Sequence, residues 1–128
     1  MTTFEKSAEL AGRILMVAIF LMSGLGKLAQ YAGTQAYMAS AGVPGGLLPL
    51  VIAVEVGGAI AILLGFKTRW AALGLAGFSI VSALLFHNNF ADQIQMIMFL
   101  KNVAMAGGFL LLVAHGAGPL SLDHRSKA

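Results

Sequence analysis

The sequence predicts an all-α fold, a four-helix transmembrane bundle with both termini cytoplasmic and a short interfacial helix in the first outer loop. Three observations carry that expectation. First, 59% of the 128 residues are hydrophobic and only 10% are charged, whereas an ordinary soluble domain carries roughly a quarter charged residues. Second, eight Lys and Arg and five Asp and Glu are too few to cover the large relative surface of a small soluble domain. Third, the apolar residues gather into four stretches, about 10–28, 47–65, 70–86 and 94–115, each near the ~20 residues that cross a bilayer. These stretches leave no room for a soluble catalytic domain, so residues 1–128 form a single integral membrane domain.

The first stretch follows a short polar start, Thr2, Thr3, Glu5 and Lys6. It is long for a signal-peptide core and no small-x-small cleavage site follows it, so it reads as a retained helix. The second runs from Leu47 to Gly65 with Glu55 as its only charge. Gly65 supplies a stop, and Phe66, Lys67, Thr68 and Arg69 make a tight link into the third stretch, where Trp70 suits a membrane interface. The fourth stretch contains Lys101 and Asn102 and ends at Gly116, Gly118 and Pro119. The longest link closes with Gly42, Val43, Pro44, Gly45 and Gly46, a turn back into the bilayer. Within it, Thr34 is placed to cap a helix from Gln35 to Ala41 whose Tyr37, Met38 and Ala41 would lie on the membrane surface. Small residues four apart, Ala53, Gly57 and Ala61, then Ala104 and Gly108, are expected at helix contacts.

Orientation follows from the basic residues. Four spans put Lys6, Arg13, Lys67, Arg69, Arg125 and Lys127 on one side, and the positive-inside rule assigns that side to the cytoplasm. The scattered basic residues form no stripe for nucleic acid.

Charges within the spans point to a site. Glu55 lies roughly 12 Å from the outer start of its helix at a rise of about 1.5 Å per residue. A charge at such a depth costs roughly 2.5 to 3.5 kcal/mol on the insertion scale and needs a partner. Lys101 lies at similar depth on the fourth stretch, so a Glu55–Lys101 ion pair is expected, with Lys27 and Asn102 nearby. His87 closes the third stretch on the same side, beside Asn88 and Asn89. Lys27, Glu55, His87, Lys101 and Asn102 are therefore the candidate ligand-binding residues of an outward-facing polar pocket. Two readings of the buried charges stand side by side: a substrate or cofactor site, and a lock that holds the helices in register. An ion or proton path is a third; a pore of such short helices requires several subunits, hence a homo-oligomer.

No catalytic residue is assigned. Cysteine is absent, which excludes thiol exchange, thiolate-held iron–sulfur clusters and Cys-ligated zinc. His87 and His115 fall at opposite membrane faces, which excludes an intramolecular bis-histidine haem, and the methionines read as flexible packing. No metal site is expected.

Several short motifs together resemble the DoxX family of small bacterial membrane proteins. They are Arg13, Ile14 and Leu15; Ser23 to Leu28; Gly42, Val43 and Pro44; Glu55, Gly57 and Gly58; Gly65, Thr68 and Arg69; Phe99, Lys101, Asn102, Gly107 and Gly108; and Ser121, Leu122 and Asp123. The resemblance covers about residues 10–123 and implies a four-helix protein of the bacterial inner membrane. Family members linked to quinone-reducing thiosulfate oxidation or to membrane oxidoreductase complexes imply an accessory or anchoring subunit beside a redox partner protein. Lys27, Glu55, Lys101 and Asn102 match the family's polar positions. With no cysteine and no soluble domain, a quinone or a partner would carry the electrons. An apolar cleft with a few placed polar groups suits a quinone-like molecule. The alternative is a structural or partner-binding protein without catalytic activity.

Overall fold

The computed structural model describes residues 2–126. Four helices are long and apolar enough to cross a membrane: α1 (Thr3–Ala29), α3 (Gly45–Leu64), α4 (Thr68–Phe86) and α5 (Gln93–His115). Two short helices accompany them, α2 (Tyr31–Ser40) after α1 and α6 (Leu122–Ser126) after α5. Antiparallel succession puts the start of α1, the α3–α4 turn and α6 at one end of the bundle. Helix α2 and the α4–α5 link lie at the other.

Helix α1 starts seven residues before the apolar stretch. The Thr2 side chain accepts a hydrogen bond from Glu5 N–H at 3.1 Å and its hydroxyl donates to the Glu5 carboxylate, a capping arrangement in the pattern Thr-x-x-Glu. The polar start is thus the first turns of a helix. At the other end only Gln30 separates α1 from α2. The short helix therefore begins at Tyr31 rather than Gln35, and Thr34 caps nothing: its hydroxyl donates to the Gln30 carbonyl one turn back. Tyr37 and Ala41 are exposed, but Met38 is buried and packs with Leu48 and Ile52 of α3. Tyr37 stacks on Phe86 of α4 at 5.4 Å between centroids.

The central core joins Val17 and Phe20 of α1, Ala59 and Ile62 of α3, Ala72, Leu75 and Ala76 of α4, and Ala106 and Phe109 of α5. Phe20 makes edge contacts with Phe78 and Phe109 at 6.4 and 5.3 Å, geometries that suit the ring quadrupole. The small-residue stripe of α3 does not serve as expected. Ala53 and Gly57 are exposed, and a Cβ added to Gly57 would meet nothing within 4 Å. The buried stripe is Leu48, Ile52, Glu55, Ala59 and Ile62, at spacings of three and four; Ala53 lies one residue past it, about 100° around the helix at 3.6 residues per turn. Close approach occurs instead at Gly24, where an added Cβ would fall 2.5 Å from Val56 Cγ2 and 3.4 Å from Glu55 Cβ. Between Ala53 and Gly57 the helix widens into a π-turn, a local form frequently found at functional sites.

At the terminal end, α3 stops in a left-handed Gly65 with φ +70°. Phe66 N–H bonds the Ala61 carbonyl and Gly65 N–H the Ile62 carbonyl, the paired bonds of a Schellman stop. The C-terminal segment folds back over this turn. Asp123 N–H donates to the Gly65 carbonyl, and the Asp123 carboxylate accepts from Lys67 N–H at 2.6 Å and Thr68 N–H at 2.9 Å, capping α4. Gly65→Ala is expected to lower stability by at least about 2 kcal/mol. The left-handed conformation alone costs an L-residue roughly 1–2 kcal/mol, and the new Cβ would strike Ser121 and Arg13. Thermal unfolding in detergent measures the loss; a shift below about 0.5 kcal/mol would show the turn to be far more plastic.

Candidate functional site

Residues from all four spans and from α2 line a half-open chamber of about 440 Å³ in the half of the bundle near α2. Its wall is mostly apolar, from Ile19 and Phe20 on α1 to Val51 and Val54 on α3 and Phe86 on α4. Against this wall stand Ser23, Lys27, Glu55, Ser79, His87 and Asn102.

The ion pair in this chamber is Lys27–Glu55. Lys27 Nζ lies 2.6 Å from Glu55 Oε1 and donates to Ser23 Oγ at 2.7 Å. Glu55 is 2% exposed, and Oε1 lacks a well-aligned hydrogen bond despite the short ionic contact. Charge attraction, with little directional bonding, therefore links the two groups in this arrangement. The expected partner Lys101 is exposed and is not among the residues lining the chamber. Counting residues from a helix end gives a depth but not a helical phase. On α5 the inward positions are Asn102, Ala106 and Phe109, and Lys101, one residue before Asn102, is turned away by about 100°. Its long side chain can carry the ammonium along the outer surface toward the membrane face. Helical phase also marks the true partner: Arg13, Val17, Phe20, Gly24 and Lys27 recur at three and four along α1, and the first four are buried.

The other candidates fall as follows. Asn102 lines the chamber and donates to the Ser79 carbonyl at 3.1 Å, while Ser79 Oγ donates to the Leu75 carbonyl. His87 sits at the edge with Nδ1 3.2 Å from Gln95 Oε1. Lys27, Glu55, Asn102 and His87 are thus brought to one chamber, and Lys101 is not.

Arg13 was missed as anything but a topology charge. It is 1% exposed, donating from Nη1 to the Ile62 carbonyl at 3.0 Å and from Nη2 to the Leu120 carbonyl. Lys127, counted with it in the charge balance, lies outside the described residues.

The DoxX family model matches residues 8–88. The chain belongs to the DoxX family. The family match includes Lys27, Glu55 and His87 and stops short of α5, where Lys101 and Asn102 lie. The chain is 51% identical over 123 residues to Inner membrane protein YqjF of Escherichia coli (strain K12), covering 96% of this chain and 95% of that one. It is 42% identical to Inner membrane protein YphA of the same organism, covering 91% and 88% respectively. No solved structure matches.

Proposed function

We propose that this DoxX protein binds a quinone-like amphipathic molecule in the Lys27–Glu55 chamber and serves as an accessory subunit of a redox-linked complex in the inner membrane. The observation that carries the reading is an ion pair set in an apolar chamber whose volume, about 440 Å³, falls within the range of roughly 300–1,000 Å³ common to ligand pockets. An apolar ring and tail suit the wall. The Lys27 ammonium donates a hydrogen bond to a ring carbonyl, and Glu55 holds that ammonium or exchanges a proton with it. Asn102 keeps one amide N–H for a second oxygen, since the Ser79 carbonyl takes the other. With no cysteine in the chain, a quinone or a partner protein would be what carries electrons in such a complex.

Purified protein mixed with a short-chain ubiquinone is expected to melt several degrees higher, and solvent extracts of gently purified protein are expected to contain quinone. Absence of both results would overturn the reading. A second reading, that the pair serves packing alone, is favoured by its position at the Gly24 close approach, and the Lys27 and Glu55 substitutions argued in the Discussion separate the two.

The proposed placement in the inner membrane draws on the names of the two relatives, and the cytoplasmic placement of both termini on the basic residues at the terminal end. The chain has no cysteine, so single-cysteine variants report topology cleanly. Thr3→Cys is expected to resist a membrane-impermeant maleimide in intact cells and Asn88→Cys to react; the reverse pattern would invert the topology.

A further inference from the structure

A second cavity, of about 570 Å³, opens at the terminal end of the bundle, on the opposite side of the membrane-spanning region from the Lys27–Glu55 chamber. We propose that it is a binding site for a phosphate-bearing anion, in the first instance the phosphodiester headgroup of an anionic membrane lipid. The inference is independent of the quinone reading, because none of its residues lines the other chamber.

Four observations converge on this cavity. Lys67 and Arg69 both line it, and no carboxylate lies within ion-pair distance of either among the described residues. Asp123 also lines it, but both its oxygens accept backbone N–H groups of Lys67 and Thr68. Among the described lining residues two cations stand against one carboxylate, with His115 and His124 on the wall as further donors; the Glu9 carboxylate lies behind Gly118, near the Arg13 guanidinium, which is itself close to the lining residue Ser121 by way of Gly65. The backbone supplies the second observation: Lys67 has φ +47° and is the one non-glycine residue with positive φ among those described. Gly or Asn would occupy that position at less cost, and strained positions of this kind cluster at functional sites. The Lys67 ammonium itself lies 5.7 Å from the centre of the Phe66 ring, a weak contact that an anion can compete with.

Thr68 is the third. It lines the cavity, is 1% exposed and has a hydroxyl without a hydrogen-bond partner. A buried hydroxyl normally finds a partner, and a phosphate oxygen accepts from hydroxyl and guanidinium alike. Fourth, Trp70 lines the same cavity and is 76% exposed, beside exposed Phe66 and Leu120. An exposed indole beside the first turn of a spanning helix belongs at the headgroup level, the depth at which lipid phosphates lie. Basic pockets at helix ends on a membrane face are suited to anionic headgroups, and the Arg69 fork, lying 3.3 Å from the position of a Cβ on Gly116, can meet two phosphate oxygens at once.

The test is native mass spectrometry of the full chain in a neutral detergent, titrated separately with phosphatidylglycerol, phosphatidylcholine and inorganic phosphate. The wild type is expected to retain phosphatidylglycerol at least tenfold more strongly than phosphatidylcholine. Lys67→Gly with Arg69→Gln is expected to abolish that preference. Lys67→Gly relieves the left-handed strain and keeps the backbone N–H that Asp123 holds, so the variant remains folded; its unchanged melting temperature separates lost binding from lost structure. Retention of inorganic phosphate without preference for phosphatidylglycerol, lost in the same variant, also supports an anion site and assigns it to a soluble phosphate. Equal retention of both lipids together with no binding of phosphate, or a folded variant that keeps the wild-type preference, overturns the proposal.

Discussion

Arg13→Met is expected to cost about 3–5 kcal/mol of stability, a large part of the roughly 5–15 kcal/mol that holds a typical protein folded. The guanidinium joins three parts of the chain that are far apart in sequence: its own helix α1, the last turn of α3 through the Ile62 carbonyl, and the segment before α6 through the Leu120 carbonyl. Methionine fills similar space but leaves the Leu120 carbonyl without its donor. It also removes the positive charge one helical turn from Glu9, whose Oε2 is buried without a hydrogen bond. Glu9 as a whole is only partly buried, so the loss is shared between the stranded Leu120 carbonyl and a carboxylate deprived of its neighbouring positive charge. Glu9→Gln added to Arg13→Met is therefore expected to recover part of the loss, and Arg13→Lys to lie between wild type and Arg13→Met because one ammonium cannot reproduce the fork. Thermal and denaturant unfolding in detergent check the series. An Arg13→Met protein within about 0.5 kcal/mol of wild type would show that these bonds do not hold the terminal end together.

The same residue shows where sequence reasoning succeeds and where it stops. Hydropathy is a sum along the chain, so the four spans were legible, and Gly65 as a stop was legible because its chemistry is local. Arg13 was assigned to the correct end, but its two acceptors lie 49 and 107 residues away, and nothing local announces them. The start of α1 escapes a reading by polarity for a different reason: Thr2 and Glu5 are polar, yet their spacing is that of a helix cap. Asp123 as the cap of α4 required a contact across more than fifty residues, which no periodicity encodes.

The candidate site divides along the same lines. Counting residues from a helix end gives depth, and depth alone allowed Lys27 and Lys101 as partners of Glu55. The angular position was also present in the sequence, in the spacing Arg13, Val17, Phe20, Gly24, Lys27 on one helix and Leu48, Ile52, Glu55, Ala59, Ile62 on the other. These stripes place Lys27 toward Glu55, while Asn102, Ala106 and Phe109 turn Lys101 outward. A polar pocket is expected from these side chains, but its apolar wall is not legible, because that depends on α2 folding over the bundle and burying Met38.

Lys27→Met is expected to be the most damaging change in the chamber, with a loss of about 3–5 kcal/mol, and Glu55→Gln to cost only about 1 kcal/mol. The asymmetry follows from burial. Removing Lys27 strands a carboxylate that is 2% exposed, and a buried charge without its partner is strongly destabilising. Removing the Glu55 charge strands an ammonium that is 25% exposed and retains Ser23 as an acceptor, and a lysine stem can extend toward water. Combining the two substitutions removes both charges, so the double variant is expected to be more stable than Lys27→Met alone, with a coupling of roughly 1–3 kcal/mol. Lys101→Met, turned away from the pair, is expected to stay within about 0.5 kcal/mol of wild type. Additive losses in the Lys27–Glu55 cycle would disprove the pairing. Quinone binding then decides what the pair is for. A folded Glu55→Gln protein that no longer gains thermal stability with quinone assigns the carboxylate to the ligand. One that responds as the wild type does assigns the charge to holding α1 against α3 at the Gly24 contact, since only in that case is the ammonium's setting irrelevant to what enters the chamber.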